Sequence, residues 1–288
     1  MDLETLVLAH EPAIRLAIFA AVFAAVALWE VIAPRRAPTA SKALRWSGNL
    51  ALVALNAALL RLAFPLGAAG VAGFVVANGW GLLNHFAVPF WLAVPLAVVA
   101  MDLAIWLQHV MFHAVPALWR LHRVHHADVD YDVTTGARFH PIEIALSMGV
   151  KVAAITVLGP PVLAVVIFEV LLSATAIFNH GNVGLPAALE RWLRWFVVTP
   201  DMHRVHHSVE SDETNSNFGF NLPWWDRLFG TYRERPRAGH EAMTIGIHGH
   251  RDPREVGRIG AMLMLPFRTD EGATYAINRR DWRAGRAT

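Results

Sequence analysis

The chain has 288 residues, 55% of them hydrophobic and only 17% charged. Soluble domains carry about 25% charged residues, so an ordinary soluble domain is excluded, and the apolar residues are concentrated in the first 180 positions. With no cysteine, disulfides, thiolate metal ligands and a cysteine nucleophile are excluded, and a formal charge of +2 without a basic stripe or a known module gives no nucleic-acid surface.

Crossing a bilayer takes about 20 apolar residues, because a helix rises about 1.5 Å per residue. Residues 13–33 meet that length, with Arg15 and Glu30 near their ends. The N-terminus shows no basic region and no small-residue cleavage site, so this first span is read as a retained anchor. A basic loop holding Arg35, Arg36, Lys42 and Arg45 follows. A second span covers residues 46–62, and 67–89 is apolar but rich in Gly and Asn, which predicts a loop or interfacial helix. A third span covers 91–111, interrupted by Asp102. Residues 142–158 and 162–178 flank Gly159-Pro160-Pro161, the signature of a tight turn between antiparallel helices. Lys151 falls inside the first of these, either snorkelling or marking a partly inserted helix.

The basic loop between the first two spans predicts a cytoplasmic location for it. Counting crossings returns the end of the third span and residues near 180 to the same side, which also receives Arg120, Arg123, Arg191 and Arg194. From Gly181 onward the chain is water-compatible. The expected architecture is therefore all-α: a polytopic membrane bundle of about four to five spans under a cytoplasmic, histidine-rich cap. Residues 1–98 form its N-terminal spans and loops, 99–235 its catalytic region and 236–288 a C-terminal cytoplasmic extension.

Fifteen histidines are present, many in short clusters. His109 and His113 stand at the cytoplasmic end of the third span. His122, His125 and His126 follow, and His203, His206 and His207 repeat their His-Arg-Val-His-His pattern. Residues three or four apart share a helix face with Cβ atoms about 5–6 Å apart, so each cluster presents at least two imidazoles to one point. Imidazole suits zinc, iron, copper and nickel. The clusters supply eight imidazoles, too many for one ion of roughly four to six ligands, so two ions are implied. Surface or satisfied core histidines account for one such cluster, not for three at one membrane face. His10, His85, His240, His248 and His250 lie outside them.

His-x3-His, His-x2-His-His and a later His-x2-His-His together resemble the fatty acid hydroxylase and sterol desaturase superfamily of membrane di-iron oxygenases. Asn179-His180-Gly181-Asn182, the run from Thr199 to His203, Arg138-Phe139-His140-Pro141-Ile142-Glu143 and the stretch from Trp225 to Tyr232 extend the resemblance over about residues 99–233. The first box departs from it, with Trp106-Leu107 and Val110 where the family commonly has Tyr-Trp and Arg. The resemblance implies that the eight box histidines are ligands of two iron ions and that His180 adds a ninth. It also implies dioxygen as co-substrate and a lipid-like substrate: fatty acyl, sterol or a related lipid. The chain lacks a cysteine-ligated cluster, a Rossmann fingerprint and a haem domain. Electrons must then come from an external ferredoxin, cytochrome b5-type protein or reductase.

Metal-bound imidazoles usually donate their other N–H to a carboxylate or carbonyl. Asp102, two turns below His109, is one candidate for that support; His140, Asn182 and Asp201 are others, His140 and Asn182 being alternatively ligands or caps. Asp128, Asp132 and Asp226 are further possible supports. Trp106, Phe112 and Phe139 are candidates for lining a substrate path from the bilayer. Hydroxylation and desaturation begin with the same hydrogen abstraction, so the ligand set does not separate them. A zinc hydrolase would need an acid beside the ligands as in His-Glu-x-x-His, and no box has one. A transporter would place its ligands near the midplane rather than at one face.

Overall fold

The computed structural model describes residues 8–268. Its helices are α1 (Glu11–Ile32), α2 (Lys42–Ala63), α3 (Gly67–Ala77), α4 (Phe90–Ala114), α5 (Pro116–His126), α6 (Pro141–Leu158), α7 (Val162–Asn179), α8 (Ala187–Leu193) and α9 (Pro200–His206), followed by shorter helical turns. No strand forms among the described residues beyond two isolated bridges. Proline opens most of the long elements, where its missing N–H is harmless and its fixed φ suits the first turn. Pro116, Pro141 and Pro200 occupy the first turn of α5, α6 and α9, and Pro89 and Pro161 cap α4 and α7.

Among the described residues, five stretches are long and apolar enough to cross a membrane: Glu11–Ile32, Lys42–His85, Phe90–Ala114, Pro141–Leu158 and Val162–Asn179. Their outer faces stay apolar and uncovered, Leu62 and Trp91 being 79% and 75% exposed. Lipid accounts for that surface, because contiguous apolar area of this kind is not left facing water.

The second crossing differs from the sequence expectation. Residues 67–89 were expected to lie as a loop or interfacial helix, yet α3 packs among α4, α6 and α7 through Ala68, Ala72, Val75, Ile155 and Phe168. Beyond it, Asn84 Nδ2 donates to the Gly159 carbonyl at 3.1 Å, so the chain has reached the α6–α7 turn. Helices α2 and α3 thus form one descent, broken at Phe64-Pro65-Leu66 where proline cannot continue the ladder. Gly159 sits in that turn with φ 65°, and a Cβ there would lie 2.3 Å from the Trp80 carbonyl oxygen, so only glycine fits.

Lys151, read from the sequence as snorkelling or as marking a partly inserted helix, is ion-paired within the bundle. Its Nζ lies 2.7 Å from Glu169 of α7, and Arg15 of α1 reaches the other Glu169 oxygen at 2.8 Å. A charge inside lipid is tolerated when paired toward the bundle interior, and this chain of charges ties three helices together.

At the opposite end the helix termini are latched to the loops. The Glu30 carboxylate accepts from the Val133 and Asn182 amides at 2.7 and 2.8 Å. Arg45 is fully inside the protein, gripping Asp128 through two nitrogens at 2.6 and 2.8 Å and Asp132 at 2.5 Å. Burial alone would raise the Asp128 carboxyl, and the guanidinium overrides this and holds it well below its ordinary value. Among the described residues after 236, Val256, Met262 and Leu265 share a core with Leu52, Trp119 and Val124. Removing one partner of a buried ion pair costs about 3–5 kcal/mol, since the other charge is stranded. Arg45→Met is therefore expected to lower the unfolding temperature of the detergent-solubilised protein substantially, whereas Arg254→Met, at an exposed turn, is expected to leave it unchanged.

Candidate metal centre

Nine histidines from four elements meet at the latched end of the bundle. Helix α4 brings His109 and His113, the second box brings His122, His125 and His126 on α5, and His180 caps the end of α7. His203 and His206 stand on α9, and His207 caps it. All nine are at most 2% exposed. His109, His113, His122, His126 and His206 form one group, and His125, His180, His203 and His207 a second; within each, the ligand atoms lie within 4.8 Å of one another. The rings of His109 and His206 are 4.6 Å apart although the residues lie far apart in sequence.

The assignment of histidines to groups follows helical geometry. Four residues advance a helix by about 400°, so an i,i+4 pair stays on one face while a neighbour one residue away points about 100° off. His109 and His113, His122 and His126, and His203 and His207 each share a group; His125 and His206, the middle member of each triplet, turns to the other group. The two triplets are thus crossed: each contributes a pair to one group and a single ring to the other.

The ring nitrogens divide into outward and inward sets. On the outward side, Nδ1 of His109 and of His206 each donates to a carbonyl, that of Phe218 and of Ser216, at 2.7 Å. His180 Nδ1 donates to the Ala176 carbonyl at 2.7 Å, His113 Nδ1 to Asn215 Oδ1 at 3.2 Å, and His122 Nδ1 to Glu143 Oε1 at 2.6 Å. Such bonds fix the tautomer and leave Nε2 as the lone-pair donor. On the inward side, Nε2 of His113, His126, His206 and His207 has no protein partner. Other inward pairs are crowded: His109 and His122 Nε2 atoms are 3.0 Å apart, and His180 Nε2 is 3.2 Å from both His125 and His203.

Burial pushes the His122 and His180 imidazoles down to about 3. Burial, reinforced by neighbouring rings, holds His125, His126, His203, His206 and His207 well below their ordinary values. The rings are neutral, the form that binds metal. Two nitrogens bound at right angles about 2.1 Å from one ion would lie about 3 Å apart, which matches the inward spacing. Buried, unpaired polar atoms otherwise cost roughly 1–3 kcal/mol each. The donor set fits a metal site of imidazole ligands.

Several residues expected to support the ligands have other partners. Asp102 accepts from Trp225 Nε1 at 2.8 Å and holds the cap, not His109. His140 caps α6, its Nδ1 accepting from the Ile142 amide at 3.2 Å. Asn182 exchanges hydrogen bonds with the Arg36 backbone at 3.0 and 2.8 Å. Asp201 pairs with Arg204 and Arg35. Asp128 and Asp132 serve the Arg45 latch. Asp226 acts at one remove: it accepts from the Phe218 amide at 2.9 Å and so fixes the residue whose carbonyl holds His109. Burial raises its carboxyl despite the donors around it. Trp106 also bonds Asp226, at 3.1 Å, and stacks on Phe229 at 4.8 Å instead of lining a substrate path. His248 is exposed on the C-terminal segment.

The sequence placed Glu143 only within the stretch from Arg138 that extends the family resemblance; its position in the first turn of a helix that begins at the histidine level was the available signal. The cap segment 215–218 carried no signal at all. Its geometry rests on Asn217, which adopts φ 51°, a conformation asparagine tolerates, and whose side chain binds the Met202 and Arg233 carbonyls at 2.9 and 2.8 Å.

A cavity of about 340 Å³ opens beside the first group, bounded by α1, α2, α4, α6 and α7. His109, His122, Phe112 and Phe139 stand at the metal end, and Phe19, Leu60, Met148 and Leu172 extend the wall down among the helices. Phe139 stacks on His125 at 4.5 Å.

The family model for fatty acid hydroxylase matches residues 94–231. An ornithine lipid hydroxylase of Rhizobium tropici is 29% identical over 196 residues, 67% of this chain and 56% of that protein. Alkylglycerol monooxygenases of Xenopus tropicalis and Homo sapiens are 30% and 27% identical, over 48% and 52% of this chain and 30% and 32% of their own lengths. The chain therefore spans about half of the first of these relatives and a third of the others. No solved structure matches it.

Outer partners of ligating histidines change metal affinity by about 10- to 100-fold. Glu143→Leu is expected to release metal that much more readily in a chelator titration read by elemental analysis. Asp102→Asn, which touches the cap alone, is expected to retain metal like the parent.

Proposed function

The chain belongs to the fatty acid hydroxylase superfamily, and on that premise we propose that it is a polytopic membrane oxygenase that hydroxylates a C–H bond of a lipid-like substrate. The observation that carries the reading is the junction of nine buried imidazoles with a largely apolar cavity running down between membrane-length helices. Hydroxylation is favoured over desaturation because the relatives are named hydroxylase and monooxygenase.

In this proposal His109, His113, His122, His126 and His206 hold one iron ion, and His125, His180, His203 and His207 a second. Bound irons would supply the dioxygen activation that cleavage of an unactivated C–H bond requires. The protein's own contribution is orientation and exclusion. Glu143, Asn215 and the carbonyls of Ala176, Ser216 and Phe218 fix the rings. The cap buries them against water, and the cavity receives an apolar chain without passing it through solvent, where exposure would cost about 25 cal/mol per Å². We assign this chemistry to residues 99–235, with the flanking segments bracing it. Electrons are drawn from an external donor such as a ferredoxin, a cytochrome b5-type protein or a reductase. The basic residues Arg35, Arg36 and Lys42 of the α1–α2 loop favour a cytoplasmic position for the histidine end. A zinc hydrolase would need a general base beside the ligands; Glu143 binds His122 through Oε1, the role of a support to a ligating ring.

The purified protein is expected to carry iron and, with dioxygen and a reduced ferredoxin, to add one oxygen atom to a membrane lipid, read by mass spectrometry. Zinc as the sole tightly held metal, with no oxygen consumed, would overturn the reading. His113→Ala and His206→Ala are each expected to lower turnover more than about 100-fold while inserting normally, because insertion depends on the apolar spans. His248→Ala should retain parental turnover. Ala57→Phe, in the cavity wall, is expected to shift product chain length toward shorter lipids without changing iron content.

A further inference from the structure

The cavity is not uniformly apolar. Asn56 of α2 and Gln108 of α4 line it, and both are more than nine-tenths buried, at 7% and 8% exposure. Each has one amide atom engaged: Asn56 Nδ2 donates to the Phe139 carbonyl at 2.8 Å, and Gln108 Nε2 donates to Ser147 Oγ at 3.0 Å. Asn56 Oδ1 and Gln108 Oε1 have no protein partner. The Asn56 orientation is settled by chemistry, since a carbonyl only accepts and the NH2 must face it. The oxygen is then the free atom. Glu143 Oε2, also lining the cavity, is a third buried oxygen without a protein partner.

These oxygens lie close to the reacting end. Asn56 holds Phe139, which stacks on His125; Gln108 adjoins His109; and Glu143 binds His122. Ser147, the Gln108 partner, is four residues beyond Glu143 on α6, or about 6 Å along the axis. Deeper in the cavity Lys151 is already paired with Glu169, and Leu60, Met148 and Leu172 are apolar. The buried lining oxygens without a protein partner, those of Asn56, Gln108 and Glu143, therefore stand toward the metal end.

Resting on the oxygenase reading, we propose that Asn56 and Gln108 form a subsite that accepts hydrogen bonds from a hydroxyl or amide N–H on the lipid, a few bonds from the carbon that is oxidised. The substrate class is a lipid with a donor group beside the reacting carbon and an apolar chain directed down the cavity. A plain ester or hydrocarbon chain leaves the buried oxygens unpaired, and a site built to bind a donor discriminates strongly against the analogue lacking it.

The test uses the full chain in nanodiscs and three lipids of one chain length: an N-acyl amide, a hydroxylated ester and the plain ester. Binding is followed by tryptophan fluorescence with and without iron, and the oxidised carbon by fragment mass spectrometry. The amide or the hydroxylated ester is expected to bind roughly tenfold more tightly than the plain ester, with oxidation within a few bonds of the donor; which of the two wins identifies the donor. Gln108→Met and Asn56→Leu are each expected to erase the preference while still binding the plain ester, which shows that the variants fold. Equal binding of all three lipids to the parent protein would overturn the subsite even if all are oxidised. Selective binding without any oxidation by the iron-loaded protein would uphold the subsite and sink the oxygenase reading.

Discussion

Nine imidazoles packed against one another out of reach of solvent set the terms for the rest of this molecule. Each ring has two nitrogens, and a buried nitrogen without a partner is costly. The fold gives five rings an outward acceptor on Nδ1 and leaves Nε2 atoms converging on two points. The parts that look least regular exist to provide those acceptors. The cap segment 215–218 supplies three of them, and its own shape is held by Asn217 and by Asp226. The last turn of α7 supplies the Ala176 carbonyl, and α6 supplies Glu143.

Buried charges play a different part, joining segments that lie far apart in the chain. Arg45 binds the loop after α5 to the start of α2, and Glu30 binds the end of α1 to the loops at Val133 and Asn182. Such pairs add little net stability relative to apolar packing, yet they tolerate no partial loss. They specify which helix end meets which loop. Lys151, Glu169 and Arg15 do the same inside the bundle, where a mispaired charge would face lipid. The segments flanking residues 94–231 are thereby parts of the body that holds the histidines in register.

The cavity joins these two features. It is bounded by the spans, ends at His109 and His122, and is lined there by the unpartnered oxygens of Asn56, Gln108 and Glu143. Apolar burial positions a chain without fixing its register along the wall, whereas a hydrogen bond fixes it to within a fraction of an ångström. In the proposed subsite, a polar contact near the metal end would present one carbon of a flexible chain in preference to its neighbours.

The helical class, the membrane-length spans and the histidine boxes are legible in the sequence, because all of these are written in local composition and spacing. Twenty apolar residues need no tertiary information to demand lipid, and an i,i+4 histidine pair shares a helix face wherever that helix lies. The turn at Gly159-Pro160-Pro161 was legible for the same reason. Tertiary structure alone decided what depends on approach between distant segments. It joined α2 and α3 into one broken descent, although the Gly- and Asn-rich stretch after Pro65 looked interfacial. It gave Glu143 rather than Asp102 to an imidazole: Asp102 has the spacing to reach His109 along its own helix, but Trp225 of the cap occupies it. Above all it crossed the two His-x2-His-His triplets, sending His125 and His206 to opposite groups from their neighbours. Helical periodicity fixes only that the middle ring points about 100° away from the outer pair; what it points at is set by the packing of α5 against α9 and the end of α7.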